Sequence, residues 1–121
     1  MDTGRWLNDL FGAIDTKDAR RFASFLTEDV QFHFGNVAPL SGRAAVQAMV
    51  EGFFASISSL QHTVHEHWTQ GATVICRGTV TYWRLDGTKV SVPFANITKG
   101  RGEQVHDYRI FVDVSPLYQS K

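Results

Sequence analysis

The sequence predicts an α+β fold in which three N-terminal helices pack on an antiparallel β-sheet. Two observations carry this. Apolar residues recur with a helical period as far as Ile57, and the period becomes two after residue 60. Turn signals at Gly71, Asp86-Gly87 and Gly100-Arg101-Gly102 then cut the second half into consecutive strands, as in a meander. A length of 121 residues suits one domain spanning residues 1–121, large enough to bury a core.

Taken in order, Trp6, Leu7, Leu10, Phe11 and Ile14 define an amphipathic helix over about residues 4–15. Asp15 and Thr16 are favourable N-cap types, and Ala19, Phe22, Phe25 and Leu26 continue as a short second helix. The alternation Val30-Gln31-Phe32-His33-Phe34 runs into Gly35-Asn36 and Pro39, so it reads as a short strand ending in a loop. Ser41 is expected to cap the third helix, in which Val46, Met49, Val50, Phe53, Phe54 and Ile57 form the most regular apolar stripe of the chain. Strands are expected over about 61–69, 72–84, 89–99 and 103–114, with Asp86-Gly87 as a tight hairpin turn. Pro93 lacks an N–H and is expected at an edge or a bulge. Helices on one face leave the other face of the sheet to polar residues or to a second copy, and the strand near 72–84 is cleanly polar on neither side. A homodimer pairing sheet faces is therefore expected.

Composition excludes several function classes. Twelve basic and twelve acidic residues cancel, leaving no field to attract nucleic acid or an anionic membrane. No apolar run approaches the ~20 residues of a membrane span and the N-terminus lacks a signal-peptide pattern, so a cytoplasmic protein is expected. Cys76 is the only cysteine, which excludes an internal disulfide and a multi-cysteine zinc site. Nine Phe, three Trp and three Tyr supply rings for a core or for the wall of a ligand pocket.

Three segments carry a family resemblance: the helix pair ending in FASFLTEDVQFHF, the start of the third helix at LSGRAAVQAMVEGFF, and the closing strand VHDYRIFVDVSPLY. Together they resemble the SnoaL-like branch of the NTF2-like superfamily. The resemblance implies a strongly bent sheet closing a cone around a small hydrophobic molecule, with no cofactor. It also implies either a cofactor-independent acid/base enzyme of isomerase, cyclase or hydrolase type, or a non-catalytic ligand-binding or dimerisation module. Aligned on Ser41-Gly42, the general-base aspartate of ketosteroid isomerases falls at His33 and their oxyanion-hole tyrosine near Leu10, departures that argue against that reaction. Polyketide cyclases of the SnoaL type carry a closing-strand aspartate at a place similar to Asp113. Limonene epoxide hydrolases use an Asp-Arg-Asp cluster, whose residue types Asp107, Arg109 and Asp113 supply on a single strand.

Alternation places Asp107, Arg109, Phe111 and Asp113 on one face of the closing strand. If that face lines the cone, Asp113 is the candidate base, Arg109 its partner or an oxyanion stabiliser, and His33 a second proton acceptor. If it meets solvent, the same charges form a surface network worth ~0–1 kcal/mol per pair. Candidate pocket-lining rings are Trp6, Phe11, Phe53, Phe54, Trp68, Phe94 and Phe111. His65 and His67 are expected on one face of a strand with His62 nearby, but without an assured third ligand no metal is expected. Arg43 reads as a solvated arginine with a possible carboxylate partner.

Overall fold

A computed structural model describes residues 2–119. Helix α1 (Thr3–Asp15) is capped by Asp2, whose carboxylate accepts from the Arg5 N–H at 3.1 Å, and it buries Trp6, Leu7, Leu10, Phe11 and Ala13. Its C-terminus closes as a Schellman motif. The Lys17 N–H donates to the Ile14 carbonyl and the Asp18 N–H to that of Ala13, with Lys17 in the left-handed region at φ 58°. Asp18 then caps α2 (Ala19–Ala23) by accepting from the Arg21 N–H at 2.9 Å. The expected caps thus move. Asp15 ends α1 and Asp18 opens α2, because the left-handed Lys17 turns the chain between them.

Strand β1 (Leu26–Phe34) starts earlier than expected, since Phe25 and Leu26 leave the helix. It pairs with a two-residue strand β2 (Leu40–Ser41), where the Ser41 hydroxyl donates to Gln31 Oε1 rather than capping a helix. Helix α3 (Arg43–Ala55) opens instead at Gly42, which sits at φ 96° and makes no side-chain cap. Strands β3 (Ser59–Gln70), β4 (Thr73–Trp83), β5 (Lys89–Arg101) and β6 (Gln104–Val112) form the expected meander, and a 3-10 turn follows at Ser115–Tyr118.

The six strands lie in the order β2-β1-β6-β5-β4-β3. All neighbours are antiparallel except β1 and β6, which run parallel. This corrects the expectation of a wholly antiparallel sheet. A parallel neighbour requires a long crossover, and everything from Gly35 to Glu103 supplies it. Pro93 pairs with Thr79 of β4, and β6 begins its pairing with β5 one residue further on, at Phe94. Pro93 therefore lies where β5 has a neighbour on one side only, as its missing N–H requires.

The inner face of the sheet carries Leu60, Val74, Cys76, Val80, Tyr82, Val92, Phe94 and Tyr108 against the helices, all buried. A bulge between Val64 and Glu66 bends the β3–β4 pair opposite Gly78. No helix among the described residues is long and apolar enough to cross a membrane.

Candidate active site

The helices and the concave face of the sheet surround a cavity of about 50 Å³. Phe11 and Ile14 of α1, Phe22 of α2, Phe32 and Phe34 of β1, and Val50, Phe53 and Phe54 of α3 form one side of its lining. Inward residues of β3 to β6 form the other. The rings interlock edge to face, with Phe53 5.7 Å from Tyr82 and Phe22 5.7 Å from Tyr108. Four side chains bring polar atoms to this lining: His62, Tyr82, Asn96 and Tyr108.

His62 belongs to a pair. One Asp15 oxygen lies 2.7 Å from His62 Nδ1, and the other accepts the His62 backbone N–H at 2.8 Å. Both bonds join the last residue of α1 to β3, and both side chains are largely shielded, at 11% exposure for His62 and 22% for Asp15. The imidazole stacks on Phe11 at 4.6 Å and meets Phe94 edge-on at 5.1 Å. A carboxylate accepting at Nδ1 selects the tautomer with its lone pair on Nε2, the atom with no hydrogen-bond partner among the described residues. An imidazole so held can take up a proton and return it.

Tyr108 and Asn96 are 0% and 3% exposed. Burial lifts the Tyr108 phenol well above its ordinary range, with the nearby Cys76 adding to the effect, and burial does the same to Tyr82. Both hydroxyls therefore keep their protons at neutral pH and can donate. Burial also pushes the Cys76 thiol up to about 11, so it packs as an inert side chain.

The structure places Asp113, Arg109 and His33 elsewhere. Phe32 and Phe34 face the cavity, which turns His33 outward, and His33 is in register with Arg109 on the same outer face. Arg109 bonds Asp107 at 3.0 Å. Asp113 lies past the end of β6, fully exposed, and accepts the Ser115 N–H at 2.9 Å to start the 3-10 turn. The Ser115 contacts, side chain first, hold its carboxyl below the ordinary range. In the closing strand it is Tyr108, Ile110 and Val112 that line the cavity.

Phe11, Phe53, Phe54 and Phe94 line the cavity, whereas Trp6, Trp68 and Phe111 do not. Trp6 is buried beneath α1 and donates to the Glu103 carbonyl at 3.0 Å; Trp68 and Phe111 are exposed on the outer face. The bulge separates the histidines of β3. His62 points inward, His65 reaches Thr79 at 3.1 Å on the outer face, and His67 is in register with inward-facing Cys76. Arg43 finds its partner in Glu28 at 3.4 Å and also donates to the Leu26 carbonyl.

A model of the SnoaL-like domain matches residues 7–108. The chain belongs to the SnoaL-like domain family. No match among curated proteins reaches significance. Among solved structures, a protein of ketosteroid isomerase-like fold from Catenulispora acidiphila, in complex with trimethylamine, superposes with a TM-score of 0.83 at 16% identity, covering 91% of this chain and 86% of the other. A SnoaL-like polyketide cyclase, so described, from Jannaschia gives 0.80 at 17% identity over 95% and 88%. An LEH-like epoxide hydrolase from M. tuberculosis gives 0.79 at 13% over 94% and 84%. At these identities the likeness is one of fold, and the fold is the NTF2-like one.

Proposed function

We propose that this SnoaL-like protein is an acid/base enzyme acting, without a cofactor, on a small and largely apolar molecule held in the aromatic cavity. The observation that carries the reading is the Asp15–His62 pair, the one acid–imidazole pair among the described residues whose imidazole lines that cavity. His62 Nε2 removes a proton from the bound molecule, and Asp15 fixes the tautomer and stabilises the imidazolium that forms. Tyr82 and Tyr108 supply protonated hydroxyls to an oxygen gaining charge. Return of the proton at a second atom completes an isomerisation, and its delivery to a leaving hydroxyl completes a dehydration.

The test uses molecules found by NMR screening to occupy the cavity and carrying an acidic C–H. In D₂O the wild-type protein should accelerate exchange of that hydrogen, and His62→Gln should slow the catalysed exchange by roughly 10² or more. A molecule seated in the cavity whose exchange the wild-type protein leaves unchanged would instead favour a binding module.

The assembly proposal is a homodimer through the outer face of the sheet. Trp68, Ile75 and Ile97 stand in one row across β3 to β5, and Arg109 and His33 extend that row. Trp68, Ile75 and Phe111 are 48%, 36% and 54% exposed, large apolar side chains spread over one face that association would cover. Light scattering should give twice the 13.6 kDa of the chain, and Ile75→Glu with Phe111→Glu should return it to one. A wild-type mass of 13.6 kDa at micromolar concentration rules the dimer out.

A further inference from the structure

Asn96 and Tyr108 approach the cavity from adjacent strands. Asn96 is in register with Ile110 and Tyr108 with Thr98, so the two are diagonal neighbours on the inner face, a spacing long side chains can bridge. Asn96 Oδ1 and Tyr108 Oη are both buried, and neither has a hydrogen-bond partner among the described residues. Buried polar atoms are nearly always satisfied, because leaving them unpaired in an apolar interior is costly. Here two such atoms belong to side chains on one wall of a cavity whose other polar lining residues are His62 and Tyr82, the remainder being phenyl and aliphatic groups.

Their chemistry narrows what would satisfy them. The amide oxygen needs a donor, and the protonated phenol is both donor and acceptor. A hydroxyl meets both at once: its proton goes to Asn96 Oδ1 and its lone pair accepts from Tyr108 O–H. The same group would also suit an amide turned the other way, since a hydroxyl accepts as well as donates. A charged head group finds no counter-ion on this wall, where its desolvation would go uncompensated.

We propose that Asn96 and Tyr108 are a recognition pair for a hydroxyl, and that the ligand of this cavity is a small uncharged alcohol. Its carbon skeleton lies against Phe22 and Phe32, the rings packed on Tyr108. The inference rests on the proposed function only in taking this cavity as the ligand site, and it does not need His62 to act as a base.

The probes are methanol and its apolar counterpart ethane, each small enough for this cavity, titrated into the protein and followed by NMR at residues 96 and 108. The alcohol-to-alkane affinity ratio should fall about tenfold in Asn96→Leu and again in Tyr108→Phe, with ethane binding retained as a sign that the cavity is intact. Tyr108→Phe removes a single oxygen and keeps the ring, so it serves if Asn96→Leu does not fold. A ratio within about threefold of wild type in Tyr108→Phe, or failure of the wild-type protein to bind methanol at this site, overturns the inference. A ratio that falls in His62→Gln while standing unchanged in the other two variants places the hydroxyl on the Asp15–His62 pair. That outcome also overturns the inference, yet leaves the proposed function intact. Loss of the hydroxyl preference in both variants, combined with unaltered proton exchange in His62→Gln, has the opposite meaning: the recognition pair stands and the proposed base does not.

Discussion

Replacing Gly78 by alanine is expected to destabilise the protein by about 3 kcal/mol or more and to lower its melting temperature by roughly 10 °C. Gly78 lies in the middle of β4, in register with Val64 and Phe94, at the bulge where β3 gains a residue. A Cβ built there falls 1.8 Å from the Thr63 carbonyl oxygen, 2.8 Å from its carbon and 3.0 Å from Val64 Cα. These are backbone atoms of the adjacent strand, so no side-chain rotation relieves the overlap and the two strands must part. The requirement is one of space, since Gly78 does not sit at positive φ. Parting β3 from β4 here also moves His62, which lies on β3 two residues before Val64. Gly52 provides the control: it lies within α3 with nothing within 4 Å of its Cβ position, and Gly52→Ala should be neutral or stabilising by about 0.5–1 kcal/mol. If thermal melts place Gly78→Ala within about 0.5 kcal/mol of wild type, the close approach at the bulge is not a constraint in solution.

The fold was largely legible because most of its helices and strands each carry one simple apolar period. The stripe from Val46 to Phe54 reads as a helix because three of its positions are buried against the sheet. The strict alternation of β4 reads as a strand because Val74, Cys76, Val80 and Tyr82 all face the core. What period alone does not encode is which strands become neighbours. The parallel pairing of β1 with β6 joins Phe32 to Tyr108 and Phe34 to Ile110 across the whole chain, and no local signal marks it. Local capping chemistry was also ambiguous: Asp15, Thr16 and Asp18 are all good N-cap types, and the choice depends on Lys17 taking a left-handed conformation that its side chain does not advertise.

The site was less legible for a related reason. Alternation correctly divided the closing strand into a charged face and an apolar face with Tyr108, but it does not say which face the helices cover. Charge drew attention to Asp107, Arg109 and Asp113, whereas the covered face follows the apolar residues, as burial requires. His62 shares the inward phase of Leu60, two residues before it, and that phase was the available signal; its proximity to His65 and His67 obscured it. The partner, Asp15, is separated from it by 47 residues and is brought to it by the packing of α1 on β3.

Asp15→Asn is expected to reduce turnover, or catalysed proton exchange into a bound ligand, by about 10² or more while lowering stability by about 1–2 kcal/mol. The two Asp15 oxygens now accept both the backbone N–H of His62 and its Nδ1–H. In asparagine one position keeps an oxygen, which can still accept the backbone N–H, and the other presents an NH₂ to the ring. An NH₂ group can only donate, so Nδ1 must become the acceptor and the ring proton moves to Nε2. The imidazole would then offer the cavity a donor where the reaction needs an acceptor. Asp15→Leu removes both acceptors and should cost more in stability, about 2–3 kcal/mol, because the His62 backbone N–H loses its partner as well. The two variants thus separate holding from chemistry: a purely structural Asp15 predicts that activity follows the melting temperature across the pair, whereas a tautomer-setting Asp15 predicts that the milder Asp15→Asn already abolishes most activity. Nitrogen-15 NMR of the His62 ring reads the cause directly, with the proton on Nδ1 in the wild-type protein and on Nε2 in Asp15→Asn. A variant whose ring keeps its proton on Nδ1 and whose proton exchange matches wild type would remove Asp15 from the mechanism and leave it as the strap between α1 and β3.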